Sequence, residues 1–68
     1  MDYEPFNLSI RKFLKMVGVN SQREIESAVQ KALDSGALKG DEAFGARITL
    51  QIPSLGLEVP FEGEIRLK

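Results

Sequence analysis

Near residue 40 the spacing of the apolar residues changes, and that change decides what the chain can become. Upstream they recur three and four positions apart, the period of a helix; downstream they alternate, the period of a strand. The switch falls across Lys39-Gly40-Asp41-Glu42, a polar stretch that reads as a loop. A helical half followed by a strand half points to an α+β fold rather than to alternating β-α-β units.

Within the first half, Phe6, Ile10, Phe13, Leu14 and Val17 form one helical stripe, with Ser9, Arg11, Lys12, Lys15 and Met16 on the opposite face. Asn7 is the expected N-cap, and Gly18 the residue that ends this first helix, over about 7–17. A second helix is expected over about 22–35. Ser21-Gln22-Arg23-Glu24 has the form of a capping box, Ile25, Ala28, Val29, Ala32 and Leu33 line one face, and Gly36 follows the last turn. The short Gly18-Val19-Asn20 link would then make a helix–turn–helix corner or an αα-hairpin.

In the second half Phe44, Ala46, Ile48, Leu50 and Ile52 alternate with Gly45, Arg47, Thr49 and Gln51. Pro53-Ser54-Leu55-Gly56 reads as a turn, and alternation resumes from Leu57 to Leu67. The expectation is an antiparallel hairpin with strands over about 44–52 and 57–67 and one wet face. A four-residue turn pairs Ile52 with Leu57, which sets Leu50 against Val59, Ile48 against Phe61, Ala46 against Gly63, Phe44 against Ile65 and Arg47 against Glu62. The Ala46–Gly63 pair reads as a place where a helix backbone comes close, and Gly63 as a possible bulge. The whole is an α-α-β-β arrangement in a single domain over 1–68: two amphipathic helices packed on the apolar face of a long hairpin.

A chain of 68 residues sits close to the lower limit for folding alone. Domains of this size commonly rely on a disulfide, a metal or a second subunit. With no cysteine there is no disulfide, and with no histidine either the usual zinc ligands are missing. Self-association remains. In the expected register Pro60 blunts the outer edge of the second strand, whereas the outer edge of the first, with Arg47, Thr49 and Gln51 on its wet face, has no such block. A homodimer in which two first strands pair is therefore one expectation, and a monomer with a twisted, shielded edge the other.

The residues that chemistry would need are absent. Without His or Cys the chain lacks the common general base and the best thiol nucleophile. Serines 9, 21, 27, 35 and 54 have no base at a sensible spacing. Glu58, Glu62 and Glu64 share a strand face that projects into water, which does not raise a carboxyl pKa toward neutrality. No phosphate-cradling glycine loop or calcium loop occurs. The reading is not an enzyme, with no catalytic residue, cofactor, metal or small-molecule ligand.

Nine basic against ten acidic residues give a net charge of −1, without the basic excess that nucleic-acid binding draws on. The helix corner could still present Gln22, Arg23 and Ser27 to bases, but Glu24 and Glu26 stand where phosphates would lie. Arg11, Lys12 and Lys15 cluster on the first helix. They either complement the helix dipole or form a docking patch for an acidic partner. Three charges without an apolar anchor do not hold a membrane surface, and the acidic start, Met1-Asp2-Tyr3-Glu4-Pro5, reads as neither a signal peptide nor a membrane span. Cytoplasm is the expected location.

The run from Phe6 to Lys15, followed by Val17-Gly18-Val19 and Ser21-Gln22-Arg23-Glu24-Ile25-Glu26, resembles an uncharacterised family of very small bacterial proteins, a domain of unknown function. The resemblance implies a stand-alone bacterial protein and supplies no activity and no site residue. The functional expectation is a small cytoplasmic protein-interaction module. Arg11, Lys12, Lys15, Arg47, Thr49 and Gln51 are its candidate contact residues, and a homodimer through the first-strand edge is one form expected of it. A nucleic-acid-binding accessory protein using the helix corner is the alternative.

Overall fold

The structure, a computed structural model, describes residues 2–68. It contains one helix, α1 (Tyr3–Ser35), then a strand β1 (Ala43–Ile52), a single 3-10 turn over Pro53–Leu55 and a second strand β2 (Leu57–Arg66). The fold is α+β, but the expectation of two helices is wrong: the Gly18-Val19-Asn20 corner does not exist. The chain divides into two compact units, Met1–Ala37 and Leu38–Lys68.

The first unit begins earlier than its sequence suggests. Asp2, in extended backbone, caps α1 by accepting a hydrogen bond from the Glu4 amide at 3.1 Å. Pro5 falls in the first turn, where its missing N–H has no intrahelical acceptor to lose and its fixed φ suits the helix. Asn7 is therefore inside the helix rather than at its cap.

Continuity through residues 18–21 has a plain energetic reason. Gly18 does not take a positive φ; among the described glycines only Gly36, Gly40 and Gly56 do. A glycine inside a helix costs about 1 kcal/mol relative to alanine. Breaking the helix would leave four amides and four carbonyls without intrahelical partners at the new ends and would need a fresh nucleation. The side-chain pattern also favours continuity. Val17, Ser21 and Ile25 stand one turn apart and are all half-buried, whereas every residue between them is exposed. The first stripe therefore runs into the second through Ser21, and Ser21 serves as an interior position rather than a cap. The true end lies at Gly36, whose φ of 81° is left-handed and whose amide donates to the Leu33 carbonyl at 3.2 Å.

In the second unit the strands pair antiparallel in the expected register, from Ile52 opposite Leu57 to Phe44 opposite Ile65, with Ala43 opposite Arg66 beyond it. Gly56, at φ 61°, closes the turn and donates its amide to the Pro53 carbonyl at 3.0 Å. The ladder runs without a bulge, so Gly63 provides no bend. Within the hairpin, a Cβ placed on Gly63 meets no atom within 4 Å. Across the wet face, Gln51 donates to a Glu58 carboxylate oxygen at 2.7 Å, and Arg47 stands 3.8 Å from Glu62. That ion pair is some seventy per cent exposed on each side, so it contributes between nothing and about 1 kcal/mol.

The loop before β1 is organised by one carboxylate. Glu42 accepts from the Lys39 amide at 3.0 and 2.9 Å and from the Gly40 amide at 3.0 Å, while its own carbonyl accepts from the Leu67 amide at 2.9 Å. These donors, the Lys39 amide foremost, hold the Glu42 pKa below the usual glutamate range.

Two expectations follow. Gly18→Ala should stabilise α1 by roughly 0.5–1 kcal/mol, read as increased helicity and melting temperature by circular dichroism, because the site is helical and a Cβ there meets open space; a corner at Gly18 would make the same change destabilising. Glu42, with its depressed folded pKa, supports the loop fully above its unfolded pKa, and that support disappears as pH falls through the folded value. An NMR titration should show the Lys39 and Gly40 amide shifts following Glu42 with a midpoint below the normal glutamate range, and Glu42→Gln should remove the transition.

Candidate interaction surface

No residue among those described is buried. A lone helix and a two-stranded ladder have faces but no interior, so their apolar rows can reach only partial cover within each unit. On α1, Phe6, Ile10, Phe13 (47%) and Leu14 (55%) are all exposed. On the hairpin, the cross-strand pair Ile48 and Phe61 stands at the middle of the apolar face, 48% and 58% exposed. Single exposed apolar residues are ordinary on protein surfaces; runs of large ones on one face mark places where something binds.

The basic residues expected to form a patch do share a face of α1. Arg11 and Lys15 are one turn apart, Lys12 lies beside them, and all three are exposed. Among the described residues none of the three is in an ion pair, since the bridges present join Arg47 to Glu62 and Arg66 to Glu64. Two more residues belong to this face that the sequence reading did not place there. Leu8, Lys12, Lys15 and Val19 follow one another at steps of four, three and four, and Leu8 and Val19 are both exposed. Splitting the helix at Gly18 hid Val19 in a linker; the same spacing, read through the supposed break, would have found it.

Arg47, Thr49 and Gln51 lie together on the wet face of β1, but two of the three side chains are already engaged, Arg47 with Glu62 and Gln51 with Glu58. What they leave open is backbone. Thr49 pairs with Pro60, which has no N–H. A pair containing proline belongs to the non-hydrogen-bonded kind, so the Thr49 amide and carbonyl turn away from β2 toward the free edge. Alternation then aims the groups of Gly45, Arg47 and Gln51 the same way. The Leu67-to-Glu42 hydrogen bond fits, since Glu42 stands on the inward-bonding set. Arg11, Lys12 and Lys15 belong to one unit, and Arg47, Thr49 and Gln51 to the other.

The chemistry of a catalytic centre is not assembled anywhere in the described residues. No group of three or more His, Cys, Asp or Glu is placed to hold a metal ion. The hollow beside Ala46 is lined by Gly45, Arg47, Glu62 and Gly63, and its charged members already face each other across the strands. No helix among the described residues is long and apolar enough to cross a membrane.

The class that this fold and surface define is a small α+β protein with exposed apolar faces. The chain belongs to a protein family of unknown function (DUF6494), which matches residues 1–68. No curated protein matches it. No solved structure matches it either.

Since the Ile48–Phe61 pair is apolar, exposed and directly cross-strand, Phe61→Ala should weaken the hairpin by about 0.2–1 kcal/mol if nothing covers it. A chain whose apolar face is covered by a partner should lose about 3–5 kcal/mol. Urea unfolding of Phe61→Ala and of the unsubstituted chain, at low and at high protein concentration, separates these cases.

Proposed function

We propose that the chain is a small protein-interaction module that works in the cytoplasm, with the open edge of β1 as a surface onto which a further strand adds, including the same edge of a second copy. The observation that carries this reading is that neither unit, taken by itself, buries a residue among those described, although each carries its large apolar side chains in continuous rows. Fully covering one Val, Leu, Ile, Phe or Met side chain stabilises by about 1.5–3 kcal/mol. Covering several therefore outweighs the marginal stability of a helix or a hairpin standing alone. The direction of the Thr49 backbone groups supports the edge as one point of attachment, because strand addition needs unpaired amides and carbonyls in register. A composition without cysteine supports the cytoplasmic placement.

The alternative of nucleic-acid binding was built on a corner at residues 18–20, and those residues are helical. Without the corner, no specific observation favours it.

Strand addition predicts a local signature. The outward amides of Gly45, Arg47, Thr49 and Gln51 should exchange with solvent more slowly at high micromolar than at low micromolar concentration, or when a strand-donating partner is added. Thr49→Pro should abolish that slowing at Arg47 and Gln51 while the inward amides of Ile48 and Leu50 stay protected, since proline there removes an edge donor and no ladder bond. Edge amides that exchange freely at every concentration and with every partner would end the edge reading.

A further inference from the structure

We infer that the strand that adds to the β1 edge belongs to a different protein and presents carboxylates opposite Arg47 and Gln51, with apolar residues on its other face. The inference rests on the reading of that edge as a place of strand addition, and narrows it by naming the partner's chemistry. In strand addition the backbone supplies affinity, and side chains at alternate positions supply the choice of partner.

β2 already shows what β1 selects. Its residues opposite Arg47 and Gln51 are Glu62 and Glu58. Gln51 gives one Nε2 hydrogen to Glu58 at 2.7 Å, and Arg47 approaches Glu62 through Nη1 alone, at 3.8 Å. Neither side chain is used up by these contacts. A side-chain amide has two N–H donors and a guanidinium five, and both side chains are exposed. An added strand lies about 4.8 Å from β1 on the side away from β2, so its carboxylates come within reach of the donors left over. Glu58 and Glu62 then stand roughly 10 Å from those carboxylates, about one Debye length at moderate salt, and repel them weakly. A lysine or arginine opposite Arg47 would instead set like charges directly across the strands, which destabilises. On the opposite face, Phe44, Ala46, Ile48, Leu50 and Ile52 are continued only by a strand that is apolar on the same side.

The two strands of this chain fit less well. β1 of a second copy carries no carboxylate. Paired two-fold about Thr49 or Ile48, it sets only the neutral Gln51 or Thr49 opposite Arg47. Paired about Arg47, it sets two guanidinium groups against each other. β2 of a second copy has the carboxylates, since Glu58, Glu62 and Glu64 share its wet face, but Pro60 stands among them without an N–H. The partner is therefore a strand with the side-chain pattern of β2 and an unbroken row of amides, which neither β1 nor β2 offers.

Two synthetic peptides of alternating pattern test this by NMR. Both have valine on one face. On the other, one carries glutamate–threonine–glutamate and its counterpart lysine–threonine–lysine, so each presents the same pattern in either direction. The full chain should bind the glutamate peptide roughly threefold to tenfold more tightly at low salt. Binding is read from the shifts and slowed exchange of the Gly45, Arg47, Thr49 and Gln51 amides. The net charge of −1 favours the lysine peptide by general attraction, so a glutamate preference reports the edge itself. Arg47→Glu with Glu62→Arg keeps the cross-strand pair with its ends exchanged, leaves the net charge unaltered, and should reverse the preference. Equal affinity for the two peptides, or preference of the unsubstituted chain for lysine, overturns the acidic partner. The edge reading then stands, because the edge amides still respond. Slowing of the same amides to the same extent by protein concentration alone overturns the different protein in favour of a second copy. Edge amides that respond neither to a peptide nor to concentration sink the inference and the edge reading together.

Discussion

A single helix and a single pair of strands have surfaces on every side and no inside. That geometric fact governs the rest of this structure. Removing apolar groups from water requires a second layer to close over them, and among the described residues no side chain reaches full burial. What the local structure does supply is backbone satisfaction. α1 is closed by Asp2 at its start and Gly36 at its end, the turn by Gly56, and the loop before β1 by the carboxylate of Glu42. These ends and turns are satisfied within short stretches of chain, whereas the outer backbone groups of β1 and the apolar rows are left open.

The hairpin was legible in the sequence down to its register. Strict alternation on both sides of Pro53-Ser54-Leu55-Gly56 leaves one pairing that puts all the apolar residues on the same face, and slipping by one residue would turn every side chain over. Gly36 was equally readable, because a left-handed residue after a helical stripe is nearly always glycine. The helix failed for a reason that can be located. Gly18 looks like a C-terminal glycine and Ser21 to Glu24 looks like a capping box, two local signals that agree with each other. Against them stood one longer signal, the unbroken spacing of Val17, Ser21 and Ile25, with a serine where an apolar residue would have made it obvious. Cap propensities are worth a kilocalorie or so apiece, whereas a break, with its two new helix ends, exposes eight backbone groups. At the other end the cap is Asp2 rather than Asn7, and Pro5 is accommodated because proline is at home in a first turn.

Of the candidate contact residues, Arg11, Lys12 and Lys15 fall on one face of α1 and Arg47, Thr49 and Gln51 on one face of β1, positions that helical and strand periodicity already give. The sequence did not show that Arg47 and Gln51 engage Glu62 and Glu58, which shifts interest from those side chains alone to the backbone beneath them. Nor did it place Leu8 and Val19 beside the basic residues, because that grouping exists only on a continuous helix. Family membership extends the description to relatives of unknown function without adding a reaction to it.

Pro60 carries one last consequence. A ribbon with two open sides can recruit neighbours indefinitely, and fibres grow that way. Here one side is interrupted near its middle by a residue that cannot donate, opposite Thr49. Any ribbon that docks along β1 therefore meets a blunt far wall and finds nowhere to pass the invitation on. Association by this route would therefore be self-limiting.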